Sequence, residues 1–202
     1  IKKALAYSQY DYLKNRIKIG KLLEIGSGQG YILEIFEKNG FKVSGIEPSR
    51  TNVEIINKKL KNGKCKHGFA ESEIDHEVKF DLIIMSHVLE HVIDSRKVLE
   101  KLKTVLTNDG HLFIEVPNCS SKKYLEESIY TQPHIQHFTK ESIQKLLESI
   151  EMKIVKVDTL NGEVNSISKN LKYFIFWIFK KNYFYPINEK EGKYLRIIAK
   201  KK

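Results

Sequence analysis

The stretch LLEIGSGQGYILEIF, residues 22–36, constrains the fold of this chain more than any other. An apolar run with the character of a buried strand meets three closely spaced glycines, and apolar residues at helical spacing follow at once. A strand that feeds a helix through so tight a turn is the opening half of a crossover unit, which needs a parallel neighbour to return to. The rest of the chain supplies such neighbours. KLLEI, FKVSGIE, FDLIIMS and HLFIEVP are nearly continuous apolar runs bounded by Gly, Asn, Asp or Pro, as expected of strands buried on both faces. Between them, YILEIFEKNG has a glycine stop, SRTNVEIINKKLKNG opens at Ser49 and ends at Gly63, and DSRKVLEKLKTVLTNDG opens at Asp94 and ends at Gly110, each patterned as a helix. Strands alternating with helices predict an α/β fold, a doubly wound parallel sheet with helices on both faces.

The glycine loop says what such a sheet would bind. Glycines let the backbone approach a ligand, and the free N–H groups of a helix start point into the crevice at the strand ends. Gly26, Gly28 and Gly30 give G-x-G-x-G, and Tyr31 stands where a dinucleotide fingerprint has its third glycine. Glu24, two residues before the first glycine, would repel a pyrophosphate. A carboxylate there suits a ligand bearing a cationic sulfonium and an ammonium, which points to S-adenosylmethionine rather than NAD. Glu47 in GIEPS, at the end of the second strand, is placed to accept both ribose hydroxyls.

LLEIGSGQGYILE, VSGIEPS, FDLIIMSHVLEHV, VLTNDGHLFIEVPN and PHIQHFTKESIQKLLES follow one another as in the class I S-adenosylmethionine-dependent methyltransferases, and the chain resembles their small-molecule group of sugar and quinone enzymes over residues 20–157. The resemblance implies a Rossmann-like seven-stranded sheet, mostly parallel, whose antiparallel last strand KYLRIIAKK could supply. It implies S-adenosylhomocysteine as product and a small-molecule acceptor, with a sugar or lipid-linked intermediate foremost. It places Glu24, Gly26, Ser27 and Gly28 around the methionine part, Glu47 on the ribose, and Pro48, Phe69, Ala70 and Glu71 near the adenine, with Gly30 a further cofactor-binding residue. Ser86 and His87 would line the pocket beside the reactive methyl group.

Methyl transfer needs a protein base only when the acceptor must lose a proton, and histidine suits that task near neutral pH. His134 and His137 in PHIQHF, together with His87, are the candidate catalytic residues. His87, Glu90 and His91 share a face if SHVLEH is helical. They read as a pocket wall, as a hydrogen-bonded structural group, or as a metal site on Glu90 and His91 that His134 or His137 would complete. Relatives with such a metal site carry a glutamate where this chain has His87. Phe138 would also serve as a hydrophobic staple for the helix TKESIQKLLESI, which opens on a Thr cap.

The whole 202 residues suffice for one domain, with an N-terminal helix within 1–20 and lid or substrate-side segments at 118–138 and 161–190. The polar stretch from Pro117 through Gln132 reads as a loop. The first residue is Ile1 rather than a methionine, which leaves open what precedes it, and nothing present has the shape of a signal peptide. Cys65 and Cys119 lie far apart and form no Cys-x-x-Cys pair, so neither a disulfide framework nor a structural zinc site is indicated, and a cytoplasmic location fits. A net charge of +10 would favour anionic partners, but the lysines are scattered as in a lysine-rich proteome. The aromatic stretch within 169–185, flanked by Lys169, Lys172, Lys180 and Lys181, reads as core or lid packing, as a peripheral contact with an anionic membrane surface, or as a dimer surface. It is too short to span a bilayer. Two rivals stand beside the small-molecule enzyme. A nucleic-acid methyltransferase is disfavoured because MSHVLEH replaces the Asn- or Asp-Pro-Pro-aromatic motif, and a non-catalytic protein that binds S-adenosylmethionine would keep the same glycine loop.

Overall fold

Apolar runs without a polar face form strands only where both faces are covered, and five of the seven strands are of that kind. The computed structural model describes residues 2–131, 134–160 and 192–202. Strands β1 (Lys21–Ile25), β2 (Lys42–Glu47), β3 (Lys64–His67), β4 (Phe80–Ser86), β5 (Leu106–Pro117), β6 (Met152–Leu160) and β7 (Tyr194–Lys201) make one sheet in the order β3-β2-β1-β4-β5-β7-β6. Strands β1 to β5 pair in parallel, and β7 runs antiparallel between β5 and β6. The strand order reverses between β1 and β4, which opens a crevice at their C-terminal ends where α/β sheets bind ligands.

Along β4 the pleat sends neighbours to opposite faces. Leu82 and Ile84 join a core with α1 (Lys2–Leu13), α2 (Tyr31–Lys38) and α3 (Arg50–Lys59). Ile83 and Met85 join another with α5 (Ser95–Val105) and α7 (Lys140–Ser149). All four side chains are fully buried, each worth roughly 1.5–3 kcal/mol of transfer free energy. Caps fix where the helices begin: Ser49 Oγ accepts from the Asn52 amide, Asp94 from the Lys97 amide, and Thr139 exchanges reciprocal bonds with Ser142. Phe138 and Ile143, the two ends of a hydrophobic staple on α7, lie in one buried cluster.

Three local expectations are corrected. The helix after Ser49 stops at Lys59, not Gly63, because Leu60 turns extended and leads into β3. The helix after Asp94 stops at Val105, not Gly110, because Leu106 turns extended and pairs with Phe80. The polar stretch after Pro117 contains a helix, α6 (Lys122–Thr131), rather than loop alone. The segment GFAES forms the single turn α4 (Ala70–Glu73). The aromatic stretch at 169–185 and the 161–190 segment fall outside the described residues.

Candidate active site

At the end of β1 the chain must turn sharply into α2, and it does so through left-handed backbone at Gly26 (φ 69°), Gly28 (φ 52°) and Gly30 (φ 74°). The three are not equivalent. A Cβ on Gly26 would lie 2.3 Å from Val88 Cγ2 and one on Gly30 would lie 2.7 Å from Ile56 Cγ1, whereas one on Gly28 would meet nothing within 4 Å. Two of these glycines are demanded by packing, and Gly28 faces open space. Beneath the loop Glu24 is 3% exposed, and its Oε2 has no hydrogen-bond partner among the described residues. Burial, reinforced by the charge of Glu47, raises the Glu24 carboxyl well above the usual carboxylate range. Glu47 spans the loop, accepting from the Gly28 amide at 2.7 Å, the Ser49 amide at 3.0 Å and Asn52 Nδ2 at 3.3 Å.

Past β4 the backbone of His87 is also left-handed (φ 54°), which turns its ring back over the strand ends. The imidazole lies between two buried carboxylates, Nδ1 at 3.3 Å from Glu90 Oε1 and Nε2 at 3.3 Å from Glu115 Oε1. Burial alone would lower its pKa, but the hydrogen bonds and charges of Glu115 and Glu90 outweigh that and push it up to about 9. Glu115 is held down to about 2 against its own burial, chiefly by Arg196 and then by His87. Arg196 sits opposite Glu115 in the β5–β7 register and donates Nε to its carboxylate. From α1, Gln9 Nε2 donates to Ser86 Oγ at 2.7 Å and to Glu115 Oε1 at 2.9 Å, and Ser8 accepts from Arg196. His87 is therefore an imidazolium near neutral pH, a fixed positive charge rather than a base.

The 3-10 turn Leu89–His91 follows, so the face shared by His87, Glu90 and His91 is not that of an α-helix. The Glu90 carbonyl accepts from the amides of Ile135 and Gln136, which seats the PHIQHF loop on this turn. His134 stacks edge-on against His91 with ring centres 4.9 Å apart, and its Nδ1 lies 2.7 Å from Ser128 Oγ on α6. His137 Nδ1 lies 3.1 Å from the same hydroxyl. Burial lowers the pKa of His134 below the ordinary imidazole value, the opposite direction from His87. Glu90, His91 and His134 bring donor atoms within 4.8 Å of one another, near enough to share a cation. The imidazolium of His87 already stands 3.3 Å from Glu90, however, and would repel a second positive charge there.

A single cavity of about 600 Å³ joins these parts, walled by Glu24, Gly26, Gly28, Ser86, His87, Glu90, His91, Ser128 and His134, and by Gln9 and Tyr194. A family model described as a methyltransferase domain matches residues 5–157. The chain belongs to the class I S-adenosylmethionine-dependent methyltransferases. It is 28% identical over 114 residues to a ubiquinone biosynthesis O-methyltransferase of Actinobacillus pleuropneumoniae, an alignment covering 52% of this chain and 49% of that one. The chain thus spans about half the length of such curated relatives. Among solved structures, a Thermotoga maritima protein described as a SAM-dependent methyltransferase and possible histamine N-methyltransferase superposes with a TM-score of 0.73 at 20% identity, over 99% of this chain and 90% of that one. The plantazolicin methyltransferase BpumL in complex with SAH gives 0.67 at 17% identity, over 99% and 83%. These last two likenesses are of fold.

The site of this member of the family fits the family's cofactor. The orphaned Glu24 oxygen is an acceptor on a buried carboxyl that a bound cation would draw into its ionised form, and the open space over Gly28 is where a ligand's backbone-facing part can lie. The expected cofactor residues Glu24, Gly26, Ser27, Gly28, Ser86 and His87 share one cavity wall, as do the expected His134, Glu90 and His91. Gly30, Glu47, Pro48, Phe69, Ala70 and His137 are not on that wall. Gly30 packs on Ile56, Ala70 is in the core, and Phe69 is 61% exposed beside the edge formed by β2 and β3. Glu71 lies in α4. Glu115, Arg196, Gln9 and Ser128 are site residues that the motifs do not reveal. A lone acid inside HLFIEVP and a lone base inside YLRIIA are the visible trace of the first two, since an isolated charge in a buried strand needs a partner.

Proposed function

We propose that this protein moves a methyl group from S-adenosylmethionine to a hydroxyl oxygen of a small molecule, and that the whole of 1–202 works as one domain. The observation that carries this reading is the meeting, in one cavity, of a buried carboxyl with an unpartnered oxygen under the glycine loop and the rings of His91 and His134 at the other end. Its volume of about 600 Å³ is that of a small-molecule site. The names of the relatives favour a quinone-type ring hydroxyl as the acceptor, and a sugar or lipid-linked hydroxyl is the next class.

When bound, the cofactor supplies a methyl group activated by its sulfonium charge, so the protein's task is alignment and proton removal. Glu24 holds the cationic methionine end. Glu47 would hold the ribose hydroxyls, and the exposed Pro48 and Phe69 would flank the adenine. His87, kept charged by Glu90 and Glu115, stabilises negative charge developing on the acceptor oxygen. His134 takes the acceptor proton, and no metal ion is required.

Transfer of labelled methyl from S-adenosylmethionine to a panel of catechols, sugars and lipid-linked sugars tests this. Activity is expected on a hydroxyl acceptor, unchanged by EDTA, with kcat down by about 10²-fold or more in His134→Ala and cofactor KM raised in Glu47→Ala. Full activity in both variants would overturn the site assignment.

A further inference from the structure

We propose that Ser128 is a proton-relay and positioning residue, which couples His134 to His137 so that a proton removed from the acceptor at His134 leaves the site through His137. The proposal rests on the hydroxyl-acceptor reading above, and its geometry is independent of it. Ser128 is 5% exposed, and its one oxygen lies 2.7 Å from His134 Nδ1 and 3.1 Å from His137 Nδ1. A hydroxyl has one proton to give and can accept two. Both rings therefore cannot present a bare Nδ1 to it: one nitrogen accepts from Ser128 and the other donates an N–H to it. The thiol of Cys119 also reaches Ser128, but sulfur is a weak acceptor and leaves the hydroxyl proton to an imidazole.

This pairing fixes tautomers that free histidine does not favour by itself, and one of its two arrangements makes a base. With Nδ1–H of His134 donating to Ser128, the Nε2 of His134 carries the lone pair and belongs to a ring on the cavity wall. The acceptor O–H bond then breaks as Nε2–H forms. The Nδ1–H proton of His134 passes to Ser128 Oγ, and the Ser128 proton passes to His137 Nδ1. The acceptor oxygen keeps the electron pair of the broken O–H bond, His134 ends neutral, and His137 ends as an imidazolium that releases its proton to solvent.

The charges facing the relay are consistent with that direction. Glu90, His91 and His87 face His134 from the 3-10 turn and the end of β4, Cys119 faces Ser128 from the segment after β5, and the Glu127–Lys193 ion pair lies on the same cavity wall as Ser128. A proton held at His134 would face His91 and His87, and passing it to His137 shifts it to a ring whose centre lies 6.5 Å from that of His134.

Nitrogen-15 NMR of the labelled protein reads the tautomers without any substrate. One of the two rings is expected as Nδ1–H and the other as Nε2–H, and Ser128→Ala is expected to return both to Nε2–H. Two rings of the same tautomer in the wild type would overturn the coupling. In a second arm, wild type, Ser128→Ala and Ser128→Thr are compared on catechol and on 4-nitrocatechol, whose hydroxyl is ionised without help at mildly alkaline pH. Ser128→Ala is expected to lose about 10–100-fold in kcat on catechol, to lose nothing on 4-nitrocatechol, and to keep its affinity for S-adenosylmethionine. Ser128→Thr, which keeps the hydroxyl, is expected to recover the catechol rate. An equal loss on both phenols would show a structural role and overturn the relay. If the wild type methylates neither phenol, the hydroxyl-acceptor reading fails, and the tautomer result still decides whether Ser128 couples the two histidines.

Discussion

Single residues set the character of this site by what surrounds them. Gly28 and Gly30 have similar left-handed backbones, and an alanine at either adds strain of about 1–2 kcal/mol. At Gly30 the new Cβ also strikes Ile56, while at Gly28 it enters open space. Gly30→Ala is therefore expected to lower the unfolding free energy by more than Gly28→Ala, and Gly28→Ala to cost more cofactor affinity; denaturant titration and calorimetry read the two effects separately. His87 gives a pH signature. An imidazole whose folded pKa stands near 9, above its ordinary 6.5, stabilises the fold fully below 6.5 and loses that contribution as pH rises through 9. Wild type is expected to lose on the order of 2–3 kcal/mol across that interval. His87→Asn, which tolerates the left-handed backbone, is expected to flatten the slope. A wild-type stability that does not fall between those pH values would contradict the charged assignment.

At the scale of elements, the strands were legible because burial on both faces leaves continuous apolar runs, and β7 was legible even past a long intervening segment. Helix starts were legible from Ser49, Asp94 and Thr139. Helix ends were not, because Leu60 and Leu106 leave the helix for tertiary reasons that the local pattern cannot see: Leu60 turns extended and packs into the core, and Leu106 pairs with Phe80. The helix α6 was hidden by its polar composition, and with it Ser128. The pairing of Glu115 with Arg196 depends on the β5–β7 register, and each residue alone shows only as a lone charge in an apolar run. Both side chains are about 1% exposed. Removing one leaves the other charged and buried, so Arg196→Met is expected to destabilise by about 3–5 kcal/mol in chemical denaturation. The double variant with Glu115→Gln is expected to recover part of that loss, and additive losses would contradict direct pairing.

For the whole molecule, fold and cofactor class follow from the order of motifs along the chain, whereas part of the cavity wall is built by side chains that converge from α1, α6 and β7. None of these carries a motif of its own. No helix among the described residues is long and apolar enough to cross a membrane. The central claim is that the orphaned carboxylate of Glu24 selects a sulfonium-bearing ligand. Because burial keeps that carboxyl protonated well above the usual range, binding a cation to its ionised form releases a proton, and affinity rises with pH until the carboxyl is ionised in the free protein. Isothermal titration calorimetry with S-adenosylmethionine, in buffers of different ionisation enthalpy, tests this most directly. Binding with proton release is expected for the wild type, with affinity reduced about 10–100-fold and the proton release lost in Glu24→Gln, as for loss of a charged hydrogen-bonding partner. Binding of NAD in place of S-adenosylmethionine, or an unchanged titration in Glu24→Gln, would contradict it.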